Sequence, residues 1–130
     1  MIAGAGLDGT WEIWNEPDIP AFWNGTRDQF HELYRRAYQV VRSELGPGAA
    51  IGGPSFGIYS HAAVEAFLEY CLANGCEVNT LIFHATDDTP AGMASFPVDV
   101  RDARTSFLQN PRYAPLRMTR ILINEIGGPP

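Results

Sequence analysis

The chain has 130 residues, of which 45% are hydrophobic and 18% are charged, and its formal net charge is −6 at pH 7. This length and composition predict one folded domain with a real core and exclude a disordered segment. The acidic excess argues against nucleic acid or an anionic membrane as a partner, because both require basic patches. A neutral or cationic small molecule is compatible with this charge.

Hydrophobic patterning predicts strands and helices that alternate along the chain. Short apolar runs that end in polar or turn-forming residues are typical of buried strands, and they cover residues 10–15, 49–54, 78–84 and 119–125. Apolar residues at helical spacing predict helices over 27–45, 61–74 and 98–109. Thr26 is the expected N-cap of the first helix, and residues 85–95 are expected to form a polar loop.

The alternation of elements predicts parallel strands that are joined by right-handed helical crossovers. Two α/β folds fit this order, a segment of a (β/α)₈ barrel and an open doubly wound sheet, and both place functional groups at the carboxyl ends of strands. No glycine-rich phosphate loop follows a strand. The three histidines are dispersed and the two cysteines lack C-x-x-C spacing, so neither a cofactor nor a metal site is predicted.

Polar residues stand at the ends of several predicted strands, namely Asn15, Glu16, His84 and Glu125. A carboxylate at the end of a buried strand is costly unless it has a role or a charged partner. Two such glutamates suggest a pair of carboxylates that act on one bond, which is how most glycosidases work. An ion pair with an arginine is the competing interpretation for each glutamate.

The sequence around Glu16 predicts how its carboxyl group is held. Pro17 favours an extended conformation for the residue before it, so Glu16 is expected to stay extended at the strand mouth. Burial beside Trp14 would disfavour the charged form, which suits a general acid. Asn15 could either donate to a ligand hydroxyl or satisfy the turn at Pro17. Trp23, in the loop that follows, is the candidate for stacking against a sugar ring.

Glu125 and His84 each leave two interpretations open. By alternation Glu125 is expected to share a face with Ile121 and Ile123, where an ionised carboxylate would need hydrogen-bond donors. Such a group could attack an anomeric carbon. His84 could be a structural residue that is held by hydrogen bonds, or it could contact a ligand on the same rim as the two glutamates.

Taken together, these motifs resemble a known family. The chain carries, in order, WEIWNEPD, FWNG, LYRRAY in the first helix, IGGP, a strand-end histidine and a strand-end Asn-Glu. This order is similar to that of glycoside hydrolase family 39, which contains β-xylosidases and α-L-iduronidases and belongs to the clan of (β/α)₈ retaining glycosidases. The resemblance implies a carbohydrate substrate and the fourth to seventh strands of such a barrel, with their intervening helices.

The resemblance also implies a role for each matching residue. Glu16 corresponds to the acid/base glutamate and Glu125 to the nucleophile of a double-displacement mechanism. Asn15 corresponds to an asparagine that contacts the sugar 2-hydroxyl, and His84 to a sugar-contacting histidine. Asn124 stands where the β-xylosidases usually have threonine, which leans towards the iduronidase-like members.

A complete barrel needs eight strands and about 250 residues. Residues 1–130 are therefore interpreted as the central-to-C-terminal part of one barrel domain, truncated at both ends, and the isolated piece is expected to be inactive. Two alternatives stay open. One is a non-catalytic carbohydrate-binding protein on a degraded barrel, and the other is a different retaining clan member, similar to a cellulase or a β-galactosidase.

Overall fold

The computed structural model describes residues 9–127. Its strands and helices alternate, and in chain order they are β1 (Thr10–Glu12), α1 (Arg27–Leu45), β2 (Ala50–Phe56), α2 (His61–Asn74), β3 (Thr80–Phe83), α3 (Pro90–Asp102) and β4 (Arg120–Leu122). A π-helical segment (Ala103–Leu108) and a 3₁₀ helix (Pro111–Leu116) connect α3 to β4. Within the described part of the chain, the strands form one parallel sheet in the order β1-β2-β3-β4. This confirms the predicted α/β class.

The bounds of α1 follow from its capping residues. The Thr26 side chain accepts a hydrogen bond from the Gln29 backbone N–H at 3.2 Å, and the Gln29 side chain accepts one from the Thr26 N–H at 2.7 Å. This reciprocal capping box satisfies two N–H groups that the first helical turn leaves free. Gly46 ends the helix with a φ of 79°, which glycine adopts without steric cost. Both α1 and α2 have the bounds that the sequence predicts.

The hydrophobic core lies between one face of the sheet and helices α1 and α2. It contains aromatic and aliphatic side chains from both layers, including Phe30, Tyr34, Ile51, Val64, Phe67, Leu68, Leu81 and Phe83. The Tyr34 ring meets Phe67 edge-on at 4.8 Å, and its hydroxyl donates to the Glu77 carbonyl at 3.0 Å. A Cβ at Gly53 would lie 3.0 Å from the Tyr34 ring, so glycine lets helix α1 approach the sheet.

The opposite face of the sheet carries polar groups as well as apolar ones. The hydroxyls of Thr10 and Thr80 lie 3.3 Å apart, and the Arg120 guanidinium donates to Thr80 at 3.1 Å and to Thr10 at 2.6 Å. Further along, a Cβ at Gly52 would lie 2.6 Å from the Ile82 side chain. The two adjacent glycines of the Gly-Gly-Pro motif therefore each leave space for a side chain, Gly53 for Tyr34 on one face of the sheet and Gly52 for Ile82 on the other.

The helix α3 differs from the prediction. It begins at Pro90, inside the expected loop 85–95, and ends before the predicted end of the 98–109 helix. Thr89 caps it by accepting from the Gly92 N–H at 3.1 Å, and proline at the first helical position suits the helix because its missing N–H would be unsatisfied there anyway. The π-helical segment follows α3 directly, so residues 98–108 of the predicted helix are helical, and the main difference is the earlier start. None of the α3 residues is buried.

Two smaller features complete the description. Cys71 and Cys76 are both buried free thiols. Among residues 9–127, no helix combines the length and the apolar character that a membrane span requires.

Candidate active site

The backbone turns sharply where β1 ends. The Ile13 N–H still donates to the Gly52 carbonyl at 3.3 Å, but Trp14 and Glu16 have φ values of 69° and 46°. The expected extended conformation of Glu16 is therefore wrong. Its N–H donates to the Ser55 carbonyl at 2.9 Å, and its carbonyl accepts from Ile19 at 3.0 Å. These bonds stabilise a left-handed conformation that costs a residue with a Cβ about 1–3 kcal/mol and is concentrated at functional sites.

Glu16 is buried, with a residue exposure of 7%. The loop after β2 covers it, since a Cβ at Gly57 would lie 3.1 Å from the Glu16 Oε1 atom. The carboxylate of Asp18 fixes this loop by accepting from the N–H groups of Gly57 at 2.8 Å and Ile58 at 3.3 Å. The glycine thus allows the backbone to pack directly on the carboxyl group.

His84 follows β3 and is fully buried. Its backbone N–H donates to the Phe56 carbonyl at 2.7 Å, which fixes the residue against the end of β2. Its ring atom Nδ1 lies 3.0 Å from Glu16 Oε1, within hydrogen-bond distance. The other ring nitrogen, Nε2, has no hydrogen-bond partner among the described residues and lies 3.8 Å from Glu12 Oε1.

Glu125 reaches the same place from β4. Its carbonyl accepts from the Ala85 N–H at 3.0 Å, and Gly127 donates back to the Ala85 carbonyl at 2.8 Å. The Glu125 side chain is 53% exposed, and its Oε2 lies 3.9 Å from His84 Nδ1. Alternation predicted that Glu125 shares the face of Ile121 and Ile123. Those two residues pack against the core, whereas regular pairing of β4 ends at Leu122 and no longer dictates where Glu125 points.

Glu16, His84 and Glu125 therefore form one cluster. Each residue contributes one nitrogen or oxygen atom that could bind a metal ion, and these three atoms lie within 4.8 Å of one another. A carboxylate oxygen of Glu16 therefore lies within 4.8 Å of one of Glu125. This spacing is nearer to the carboxyl separation of about 5–5.5 Å in retaining glycosidases than to the 6.5–9.5 Å of inverting ones. The same three groups could also hold a divalent cation, because their donor atoms converge.

An open cavity of about 510 Å³ is lined by Glu12, Trp14, Asn15 and Phe22. It meets the cluster through Glu12, whose Oε1 lies 3.8 Å from His84 Nε2. Trp14 is 44% exposed and Phe22 is 50% exposed, so both offer aromatic surface there. Trp23, the predicted stacking residue, lies behind Trp14 with the ring centroids 5.3 Å apart. Its indole N–H donates to the Thr26 carbonyl at 3.0 Å, which ties Trp23 to the start of α1.

Sequence reasoning missed Glu12 and its contact with Asn124. The Asn124 amide donates to Glu12 Oε2 at 2.8 Å, and the other oxygen of Glu12 faces His84. A signal was present in the sequence, since Glu12 is the one charged residue in the apolar run 10–15 that was expected to be a strand. Because side chains alternate along a strand, Glu12 also points away from the core-facing Ile13.

Comparisons with known proteins agree with this architecture. The sequence model of the glycosyl hydrolases family 39 matches residues 7–109, a range that includes Glu16 and His84 and ends before Glu125. A glucosidase from Croceicoccus marinus superposes with a TM-score of 0.67 and 23% identity, over 86% of this chain and 23% of that chain. The protein N2152 from Neocallimastix frontalis superposes with a TM-score of 0.63 and 27% identity, over 90% of this chain and 27% of that one. The chain thus spans about a quarter of each of these structures.

Proposed function

We propose, since the chain belongs to glycosyl hydrolase family 39, that it carries the two catalytic carboxyl groups of a retaining glycosidase. In this proposal Glu16 is the acid/base and Glu125 is the nucleophile. The observation that supports it most is the convergence of Glu16 and Glu125 from two separate strand ends onto one atom, His84 Nδ1. An ion pair with an arginine, the competing interpretation for both glutamates, finds no support, since among the described residues neither carboxylate lies within 4.0 Å of an arginine.

The proposed reaction proceeds in two displacements. In the first, Glu16 gives its proton to the glycosidic oxygen, the bond from that oxygen to the anomeric carbon breaks, and a Glu125 oxygen bonds to the anomeric carbon. The alcohol leaves and a glycosyl ester of Glu125 remains. In the second, Glu16 takes a proton from water, the water oxygen bonds to the anomeric carbon, and the ester bond breaks. Both glutamates then return to their starting states.

The two carboxyl groups differ in their surroundings in the way this division of roles requires. The Glu16 carboxyl group is buried and lies 3.0 Å from the His84 ring, so it is shielded from bulk water. The Glu125 carboxyl is half exposed, so water can stabilise its negative charge before it attacks. Paired carboxyl groups in contrasting environments are a recurrent way to separate an acid from a nucleophile.

The cavity beside the cluster is the proposed position of the sugar. Asn15 lies on its wall and would contact the 2-hydroxyl. The sugar contact expected of His84 finds no support, because its side chain is fully buried, and its proposed role is to hold the two glutamates. Trp14 and Phe22 offer exposed aromatic rings for stacking, and Trp23 would act by supporting Trp14. The proposed substrates are β-xylosides or α-L-iduronides, in line with the family resemblance of the Asn-Glu-Pro and Asn-Glu motifs.

Because the chain covers about a quarter of its solved relatives, activity is best measured in a complete barrel, in which residues 9–127 replace the matching segment of a family 39 glycosidase. This chimera is called the complete barrel below. With an aryl xyloside or iduronide, we expect ¹H NMR to show a first-formed sugar that keeps the anomeric configuration of the substrate. An inverted first product would contradict the proposed mechanism. Sugar binding without hydrolysis would favour the carbohydrate-binding alternative.

A further inference from the structure

Glu12 lies between two polar groups of the site, the Nε2 atom of His84 and the side-chain amide of Asn124. Its Oε2 accepts from the Asn124 amide at 2.8 Å, and its Oε1 lies 3.8 Å from His84 Nε2. We infer that Glu12 is a positioning residue, which keeps the proton of neutral His84 on Nε2 and leaves Nδ1 as a hydrogen-bond acceptor towards Glu16. The Asn124 amide assists by fixing which oxygen of Glu12 faces the ring.

The inference starts from the burial of the imidazole ring. His84 is fully buried, and Nε2 has no hydrogen-bond partner among the described residues. A buried nitrogen therefore depends on the charges around it rather than on water to select its protonation state. A carboxylate at 3.8 Å attracts an N–H and repels a lone pair, so it favours a proton on Nε2.

The carboxyl groups on the other side of the ring compete with Glu12. Glu16 Oε1 lies 3.0 Å and Glu125 Oε2 lies 3.9 Å from Nδ1. If both were charged, they would draw the proton to Nδ1. When Glu16 carries its own proton, however, its O–H can donate to Nδ1, and the ring then needs its proton on Nε2. Glu12 and a protonated Glu16 thus favour the same tautomer.

The inference rests on the proposed function of Glu16, because it requires that the Glu16 carboxyl group carries the proton, and it has a consequence for catalysis. A ring with an unprotonated Nδ1 accepts from the Glu16 O–H and orients it, whereas a ring with a protonated Nδ1 would stabilise Glu16 as a carboxylate. Glu12 would therefore act on Glu16 through His84 without touching the substrate. The role of Asn124 follows from the same contacts.

The tautomer can be measured in the chain itself by long-range ¹H–¹⁵N NMR of ¹⁵N-labelled histidine side chains at neutral pH. His31 and His61 provide internal reference signals, and His31→Gln and His61→Gln assign the remaining signal to His84. We expect the wild-type chain to show His84 with a protonated Nε2 and an unprotonated Nδ1. In Glu12→Gln, the ratio of this tautomer to the other should fall by at least roughly tenfold, because an amide can either donate to Nε2 or accept from it.

Glu125→Gln is the matched control, since it removes the same charge from the opposite side of the ring and should leave the Nε2–H tautomer dominant. Asn124→Ala should lower the ratio less than Glu12→Gln does. A wild-type spectrum with the proton on Nδ1, or on both nitrogens, would overturn the inference even if no variant folded. An unchanged ratio in a folded Glu12→Gln would do the same. Failure of the complete barrel to hydrolyse glycosides would contradict the proposed function alone, because the tautomer is measured without substrate.

Discussion

Glu125→Ala in the complete barrel is expected to lower kcat/KM for aryl glycosides by at least about 10⁴-fold, which corresponds to roughly 5 kcal/mol of transition-state stabilisation. The reason is that the variant retains the proposed acid, the histidine and the cavity but lacks the proposed nucleophile, the group that would bond to the anomeric carbon. The measurement is steady-state hydrolysis of a nitrophenyl glycoside. The half-exposed position of Glu125 argues against a folding defect as the cause of such a loss, because substitutions of exposed residues usually change stability by less than about 0.5 kcal/mol.

Added azide sharpens this prediction, since a small anion can occupy the space of the missing carboxylate and attack from the same side. The expected product is a glycosyl azide whose configuration is opposite to that of the substrate. Glu65→Ala is the matched control, because Glu65 is an exposed glutamate on α2, away from the cluster, and should keep full activity. Activity of Glu125→Ala close to that of the control would contradict the assignment of the nucleophile.

Glu16→Gln is expected to lose activity in proportion to how much the leaving group needs a proton. For methyl glycosides the loss should be on the order of 10²–10⁴-fold, the usual contribution of a general acid. For a dinitrophenyl glycoside the first displacement should be nearly unaffected, because that phenolate leaves without protonation. The measurement is the pre-steady-state release of the phenol. We expect a fast first release and then slow turnover, because the variant lacks the general base that would activate water to hydrolyse the glycosyl ester.

The control for this variant is Glu65→Gln, which makes the same chemical change on the exposed side of α2. An equal loss of activity on both leaving groups would mean that Glu16 shapes the site rather than donating a proton. The two leaving groups must be compared because Glu16 is buried, and glutamine at this position must also form a hydrogen bond with His84 Nδ1. A structural effect of the substitution would lower activity on both leaving groups alike.

The sequence was sufficient for the parts of the fold that repeat a simple pattern. Helix α1 is bounded by a capping threonine and a terminal glycine, and its periodic apolar residues pack on the sheet, so its predicted limits are those of the structure. Helix α3 buries no residue, and a prediction from burial periodicity could not place it. The sequence also predicted that Glu16, His84 and Glu125 lie at one edge of the sheet, because parallel strands end on the same side. In the structure these three residues form one cluster.

The local geometry of the site could not be predicted in the same way. Glu16 precedes a proline and was expected to be extended, but a tertiary hydrogen bond to Ser55 and a local turn hydrogen bond from Ile19 outweigh that preference. Glu125 lies beyond the last regular pair of β4, where alternation no longer applies. Glu12 was overlooked because its partners, Asn124 and His84, are far apart in sequence and meet only in the folded chain.

The central claim is that Glu125 forms a covalent bond to the sugar. It is tested most directly by treating the complete barrel with a 2-deoxy-2-fluoro glycoside that has a good leaving group. The fluorine slows both displacements, and the good leaving group restores the rate of the first one only, so the glycosyl ester accumulates. Mass spectrometry of the digested protein should then show one fluorosugar on Glu125, and none in Glu125→Ala. A label on Glu12 or Glu16, or turnover with no labelled peptide, would contradict the claim.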